Sequence, residues 1–434
     1  MLTRLKLLPM VLLLGTLPAS HQAALPASAL PASLPDSPLL DSLLRADARL
    51  LPVVSQASAY ELQVIYIQID RDNQNQPHFT QHSFHVNPRQ YFNPASLVKL
   101  PTAALALEKL HQLNIPGLTR NAAMSTGTAF RCQTAAPFVS SPDSDRINSV
   151  GNYIKRMLLV SDNQAYNRLY EFVGQRPLNE RLWQLGYPEA RIVRRFAPCD
   201  TAANRHTNPI SFKNAAGQII YQQPPATNHQ SLGFPLGRIT KGRAYQTGGH
   251  IVTKPYDFTT ANYLPLETVT TMLKAILFPE AVSAANRFQL TAADYGFLRQ
   301  YLRYTPHASG YTPYRSAQYF DAYKKYLYYG RQRTATNEPG IHIYNVVGLS
   351  HGYVADVAYI TDKTQAVEFM LSAVLYVNKD GVLNDGVYEY DSIGYPFLAA
   401  LGQHIYRFEL KRPRNVPEKE SQQELPEDKS RKMR

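Results

Sequence analysis

Residues 341–377 read IHIYNVVGLSHGYVADVAYITDKTQAVEFMLSAVLYV. Three runs rich in β-branched and aromatic residues, at 341–347, 352–361 and 366–377, are separated by short polar breaks, and each is the length of a strand. Working outward, residues 61–70 (ELQVIYIQID) form a fourth strand, 72–76 a polar turn, and 77–86 its hairpin partner. Between these two groups lie helical stretches at 97–110, 149–173 (broken at Ser161–Asp162), 178–185, 266–278 and 291–304. Residues 200–260 are irregular, and 393–406 suits a closing helix. Strands at opposite ends of a chain bury a common face only by meeting in space. The expected fold is therefore α+β: an antiparallel sheet built from both chain ends, with a helical subdomain inserted between its halves.

The chain has 434 residues and a formal net charge of +12. Charged residues make up only 18% and hydrophobic residues 44%, a balance that favours a packed core over disorder. Two cysteines, Cys132 and Cys199, are too few for a four-cysteine metal site. They pair as a disulfide or remain as two buried thiols.

The N-terminus has the pattern of a secretory signal over residues 1–24. Arg4 and Lys6 precede an apolar run at 7–17 that is too short to span a bilayer as a helix. This predicts a periplasmic or secreted destination, with membrane attachment only through an uncleaved signal. Residues 25–45 continue an L-P-A-S rhythm and read as a Pro/Ala-rich spacer. The folded body is expected over 46–410, and 411–434, with eight basic and five acidic residues, reads as a disordered tail. The basic body has no basic helix or recognisable module for nucleic acid, so no nucleic-acid partner is expected.

The chemistry concentrates at residues 91–100, YFNPASLVKL. Ser96 and Lys99 are three residues apart, one helical turn, and so share a face. A serine hydroxyl becomes a nucleophile when a base takes its proton, and a lysine kept neutral by burial serves as that base. A helix N-terminus nearby offers N–H groups for an oxyanion. Ser161-Asp162-Asn163 lies at the break between two helical stretches, where a loop can present side chains to a cleft. Ser161 suits a proton relay and Asn163 an amide contact.

S-x-x-K followed by S-D-N resembles the penicillin-recognising serine hydrolases, the superfamily of serine β-lactamases and D-alanyl-D-alanine peptidases. FPEAV at 278, RFQLT at 287 and DVAYI at 356 resemble an exported bacterial branch of that superfamily named only as serine hydrolases. The resemblance implies Ser96 as the acylated nucleophile, Lys99 as its base, and Ser161 and Asn163 as the second motif. It implies acyl transfer without metal or organic cofactor on a small peptide or β-lactam-like substrate, with peptidoglycan as the natural polymer of that class.

The family's third motif, K-T-G, falls at Val346-Val347-Gly348, where only the glycine matches. Gly348 is expected to let substrate approach the strand, and the N–H of Leu349 to join that of Ser96 as an oxyanion donor. Ser350, His351, Lys241 and Arg243 are the alternatives for recognising the substrate carboxylate. Neither Glu180 nor Glu189 sits in a convincing deacylation motif. The rival reading is a non-catalytic cell-wall-binding relative that kept the fold. His78, His82 and His85 straddle both faces of one strand, which disfavours a metal site. The nine tyrosines of 301–329 are expected to pack along one helix face through Tyr319, Tyr323 and Tyr326, with a glycan-binding platform as the alternative.

Overall fold

The computed structural model describes residues 30–197 and 199–414. The expected signal at 1–24 lies outside the described residues. No helix among those described is long and apolar enough to cross a membrane.

Strands β1 (Gln63–Arg71) and β2 (Pro77–Phe84) form the N-terminal hairpin. Strands β3 (Ile341–Ser350), β4 (Tyr353–Asp362) and β5 (Val367–Tyr376) form the C-terminal meander. They make one five-stranded sheet in the order β3-β4-β5-β1-β2. All its pairings are antiparallel, and β5 joins β1 with Tyr66 opposite Leu371. The two ends of the chain thus close the sheet, as the strand pattern requires.

Alternation along β1 sends Ile65 and Ile67 to one core and Val64 and Tyr66 to the other. The first core packs the inserted helices α2 (Lys99–Leu113), α3 (Val150–Val160), α4 (Asn163–Val173), α5 (Gln175–Gln184), α6 (Leu266–Leu277) and α7 (Ala292–Arg303). The second packs α1 (Pro38–Ala46) and the closing helix α8 (Tyr395–Lys411). The segment expected to be irregular contributes short strands, such as Ile210–Lys213 and Ala244–Thr247, and a 3-10 turn at Ala203–Arg205.

Three expectations need correction. The body begins before residue 46: within the supposed spacer, α1 buries Leu40 and Leu44 completely. Pro38 sits at the start of that helix, where its missing N–H costs nothing, so the proline initiates rather than breaks. At the other end the body passes residue 411. Arg412 bonds Asp70 at 2.6 Å, and Arg414 reaches the Ala366 carbonyl at 2.7 Å. Finally, Tyr319, Tyr323 and Tyr326 share no helix: the helical turns there are Thr312–Tyr314 and Tyr326–Tyr329, and neither holds Tyr319 or Tyr323. Their rings still pack together, with Tyr314 to Tyr319 at 4.9 Å and Tyr319 to Tyr323 at 5.4 Å.

The three histidines each have local partners. His78 meets Asp72 at 2.9 Å, His82 meets Ser37 Oγ at 2.8 Å, and His85 lies 3.5 Å from Asp36.

Leu44→Ala is expected to lower unfolding stability by about 2–5 kcal/mol, measured by urea titration. An unchanged midpoint would return α1 to the status of a spacer.

Candidate active site

Ser96 does not start an α-helix. It lies in a 3-10 turn, Ala95–Val98, that feeds directly into α2 at Lys99. Ala95, the residue before it, has φ +45°, a left-handed conformation that a non-glycine residue rarely takes. Asn93 supports this bend: its Oδ1 accepts the Ala95 N–H at 3.0 Å. That bond fixes the Asn93 amide, so its Nδ2 donates to His351 Nδ1 at 3.1 Å. His351 Nδ1 is therefore an acceptor and the ring proton sits on Nε2. Burial, with Arg194 adding to it, pulls His351 down to about 4, so the ring is neutral near pH 7.

The strand β3 lies directly on this turn. A Cβ at Gly348 would stand 2.7 Å from the Pro94 carbonyl oxygen and 3.2 Å from Leu97 Cγ. The glycine thus serves close approach of strand and turn, a different reason from the substrate access expected of it. Beyond it, β3 and β4 join through a two-residue turn at His351 and Gly352, both with positive φ. In such a hairpin Ser350 and Tyr353 form a hydrogen-bonded pair, so the next pair, Leu349 and Val354, does not. Because β3 is an edge strand, the Leu349 N–H points off the free edge. The Ser96 N–H has no hydrogen-bond partner among the described residues. Two unused backbone donors therefore flank the Gly348 contact.

Lys99 is only 1% exposed, and its amine is the centre of the polar contacts. Nζ lies 2.9 Å from Ser161 Oγ and 2.8 Å from Asn163 Oδ1, and it also meets the Ser161 carbonyl. The structure thus gathers Lys99, Ser161 and Asn163. It does not join Lys99 to Ser96: Ser96 Oγ makes no hydrogen bond among the described residues and is half-buried. Burial, then the charge of Lys324, pulls Lys99 well below the ordinary lysine value, with Asp162 opposing. A neutral amine has a lone pair, so the Ser161 hydroxyl is able to donate to Nζ.

Local sequence explains the second motif. Ser161 ends α3 in a left-handed conformation, φ +60°. Asp162 then caps α4, its Oδ1 accepting the Ala165 N–H at 2.9 Å. Its Oδ2 takes Arg156 Nη2 at 2.7 Å. Burial pushes the Asp162 carboxyl up, but Arg156 and the cap bond outweigh it and hold the group below the usual carboxylate range.

Several contributors were not legible in the sequence. The Phe196 ring centroid lies 5.2 Å from Lys99 Nζ and 4.5 Å from Tyr166. Asn167 Oδ1 accepts the Phe196 N–H at 2.8 Å, tying that loop to α4. The same loop is tethered by a disulfide between Cys132 and Cys199, whose Cα atoms are 6.0 Å apart. Of the candidates for the missing charge, Lys241 is committed to Glu61 at 2.8 Å and Arg243 to the Asp380 carbonyl at 2.6 Å. Val346 and Val347 are core residues, 4% and 3% exposed, on opposite faces of the sheet. Glu180 pairs with Arg176 at 2.6 Å and Glu189 is buried against Thr268. Among the described contacts, neither glutamate meets Ser96, Lys99 or Ser161.

Gly348→Ala is expected to cost about 1–3 kcal/mol in urea unfolding, because its methyl meets backbone rather than a movable side chain. Wild-type stability would show that strand and turn are not in tight contact.

Residues 47–221 match the model of the β-lactamase enzyme family. No curated protein matches the chain. Among solved structures, it is similar to a β-lactamase from Desulfarculus baarsii DSM 2075, at 15% identity and TM-score 0.44, covering 84% of this chain and 98% of that one. It is also similar to a β-lactamase from Sphaerobacter thermophilus DSM 20745, at 11% identity and TM-score 0.43, covering 83% and 95%. A class A β-lactamase from Clostridium kluyveri DSM 555 shares 12% identity at TM-score 0.42, covering 83% and 99%. The matched stretch, residues 47–221, holds Ser96, Lys99 and the Ser161–Asn163 motif.

Proposed function

We propose that the protein is an exported serine hydrolase that forms an acyl-enzyme on an amide or ester, with cell-wall peptides or β-lactam-like compounds as its substrate class. The observation that carries this reading is the buried Lys99 amine within 2.9 Å of Ser161 Oγ and 2.8 Å of Asn163 Oδ1.

Ser96 Oγ attacks the carbonyl carbon, and its proton passes to Lys99 Nζ, directly or through the Ser161 hydroxyl. The carbonyl oxygen becomes an oxyanion held by the N–H groups of Ser96 and Leu349. As the intermediate collapses, the bond to the leaving group breaks. The leaving group takes a proton from Ser161, which Lys99 replenishes. Water then attacks the Ser96 ester and releases the acid. The proton transfer from Ser96 to Lys99 needs a contact that forms once substrate is bound, since catalytic hydrogen bonds often tighten only in the substrate complex. With Glu180 held by Arg176 and Glu189 by Thr268, neither serves the ester, so water attack is the slow step and the acyl-enzyme persists.

Export is supported by the positively charged, apolar N-terminal pattern and by a disulfide, which suits an oxidising compartment. The second reading, a cell-wall-binding relative without turnover, is favoured by Val346 in place of lysine and by the unpaired Ser96 hydroxyl.

Intact mass after treatment with a fluorophosphonate or a fluorescent penicillin separates the two. One equivalent of adduct is expected, absent in Ser96→Ala and formed about 100-fold more slowly or worse in Lys99→Ala. The rate should rise with pH through the Lys99 titration, well below 10.5, because only the free amine accepts the proton. No adduct from either probe at any pH would favour the binding protein.

A further inference from the structure

Two adjacent lysines, Lys324 and Lys325, are buried where the tyrosine-rich segment passes the edge of β3, at 7% and 4% exposure. Their environments differ. Lys325 Nζ has three acceptors: the Leu302 carbonyl of α7 at 2.8 Å, the Ile343 carbonyl at 2.6 Å and Asn345 Oδ1 at 2.8 Å. It pins the segment to helix and strand. Lys324 Nζ has one, the Leu158 carbonyl in the last turn of α3, at 2.6 Å. No carboxylate among the described residues is within ion-pair distance of it. The acid that acts on it, Asp356 of β4, is occupied by the Leu327 N–H at 2.9 Å and Asn345 Nδ2 at 2.8 Å.

Two further costs mark Lys324. Its φ is +65°, and an ammonium removed from water without a counter-charge is expensive. Such features persist where neighbouring structure holds them in place. Here Asn345 Nδ2 grips the Lys324 carbonyl at 2.7 Å, next to Val346 on β3. The Lys324 main chain therefore stands beside the position where the third-motif lysine is missing. Its side chain runs to Leu158, three residues before Ser161, on which Lys99 is anchored.

We propose that Lys324 delivers the second cation of the site from a neighbouring segment, replacing the charge absent at Val346, and acts as a positioning residue that keeps the Lys99 amine in its free-base form. The inference rests on Lys99 being the base for Ser96, but the charge coupling is testable without that chemistry.

The charges around the pair are Asp356 of β4, which acts on Lys324, and Asp162 of α4, which is paired to Arg156 of α3 and acts on Lys99 of α2. Lys325 lies alongside, with Arg303 of α7 acting on it. Burial draws Lys324 down to about 7 and pushes Asp356 up to about 7, so the local charge changes close to neutrality. When Lys324 is protonated, like-charge repulsion disfavours protonation of Lys99.

The experiment compares wild type, Lys324→Gln and Lys324→Arg. Gln keeps a donor for the Leu158 carbonyl but loses the charge, whereas Arg keeps the charge. Lysine Cε resonances are titrated by NMR, with Lys99 assigned through Lys99→Arg, and acylation of Ser96 by a fluorescent penicillin, or its phosphonylation by a fluorophosphonate with loss of fluoride, is followed against pH. Lys324→Gln should raise the Lys99 midpoint by roughly one pH unit and slow acylation about tenfold on the rising limb. Lys324→Arg should stay near wild type. If Lys324→Gln does not fold, wild type alone decides: the Lys99 resonance should show a second inflection where Lys324 titrates. An unmoved Lys99 midpoint in folded Lys324→Gln, or no such inflection in wild type, would overturn the proposal. Failure of wild type to acylate would remove the catalytic reading while leaving the NMR result to decide the coupling.

Discussion

A lysine amine taken out of water is the constraint around which this molecule is arranged. An ammonium in that position would lack adequate solvation, so the site favours the amine. The acceptors that remain come from one place, the junction of α3 and α4, where a left-handed Ser161 and the Asp162 cap turn Ser161 and Asn163 toward Lys99. The cover comes from another, the Phe196 ring, whose loop is held by Asn167 and by the Cys132–Cys199 bridge. In the chain-entropy model, a bridge across a 67-residue separation contributes about 4 kcal/mol.

The sheet supplies the opposite wall. Gly348 lets β3 rest on the Pro94 carbonyl and the Leu97 side chain, and hairpin register turns the Leu349 N–H outward beside it. Backbone does this work, so it survives the loss of polar side chains at 346 and 347. What backbone cannot supply is positive charge. Buried lysines from a different segment stand next to that stretch of strand, which separates the geometry of the wall from its electrostatics.

Much of the architecture was legible because it rests on local patterns. Runs rich in β-branched and aromatic residues, with the polar turn at 72–76, marked the five strands of the main sheet, and the Ser161–Asp162 break marked the ends of α3 and α4. The α1 helix was missed because Pro38 was read with the L-P-A-S rhythm rather than as a helix start. The tail boundary was missed because Arg412 and Arg414 look like free charges until Asp70 and the Ala366 carbonyl are brought to them by the fold. Ser96, Lys99, Ser161 and Asn163 stood out through their spacing. Phe196 and Lys324 carried no local signature, since their relation to Lys99 exists only across long stretches of chain. The strained Ala95 was equally silent: its conformation is imposed by Asn93 and the overlying strand.

The most direct measurement is a crystal structure of the fluorophosphonate-treated protein. The account predicts phosphorus bonded to Ser96 Oγ, its oxygen within hydrogen-bond reach of the Ser96 and Leu349 N–H groups, and Lys99 still buried against Ser161. Phosphorus on another side chain, or an unmodified Ser96 beneath excess reagent, would contradict it.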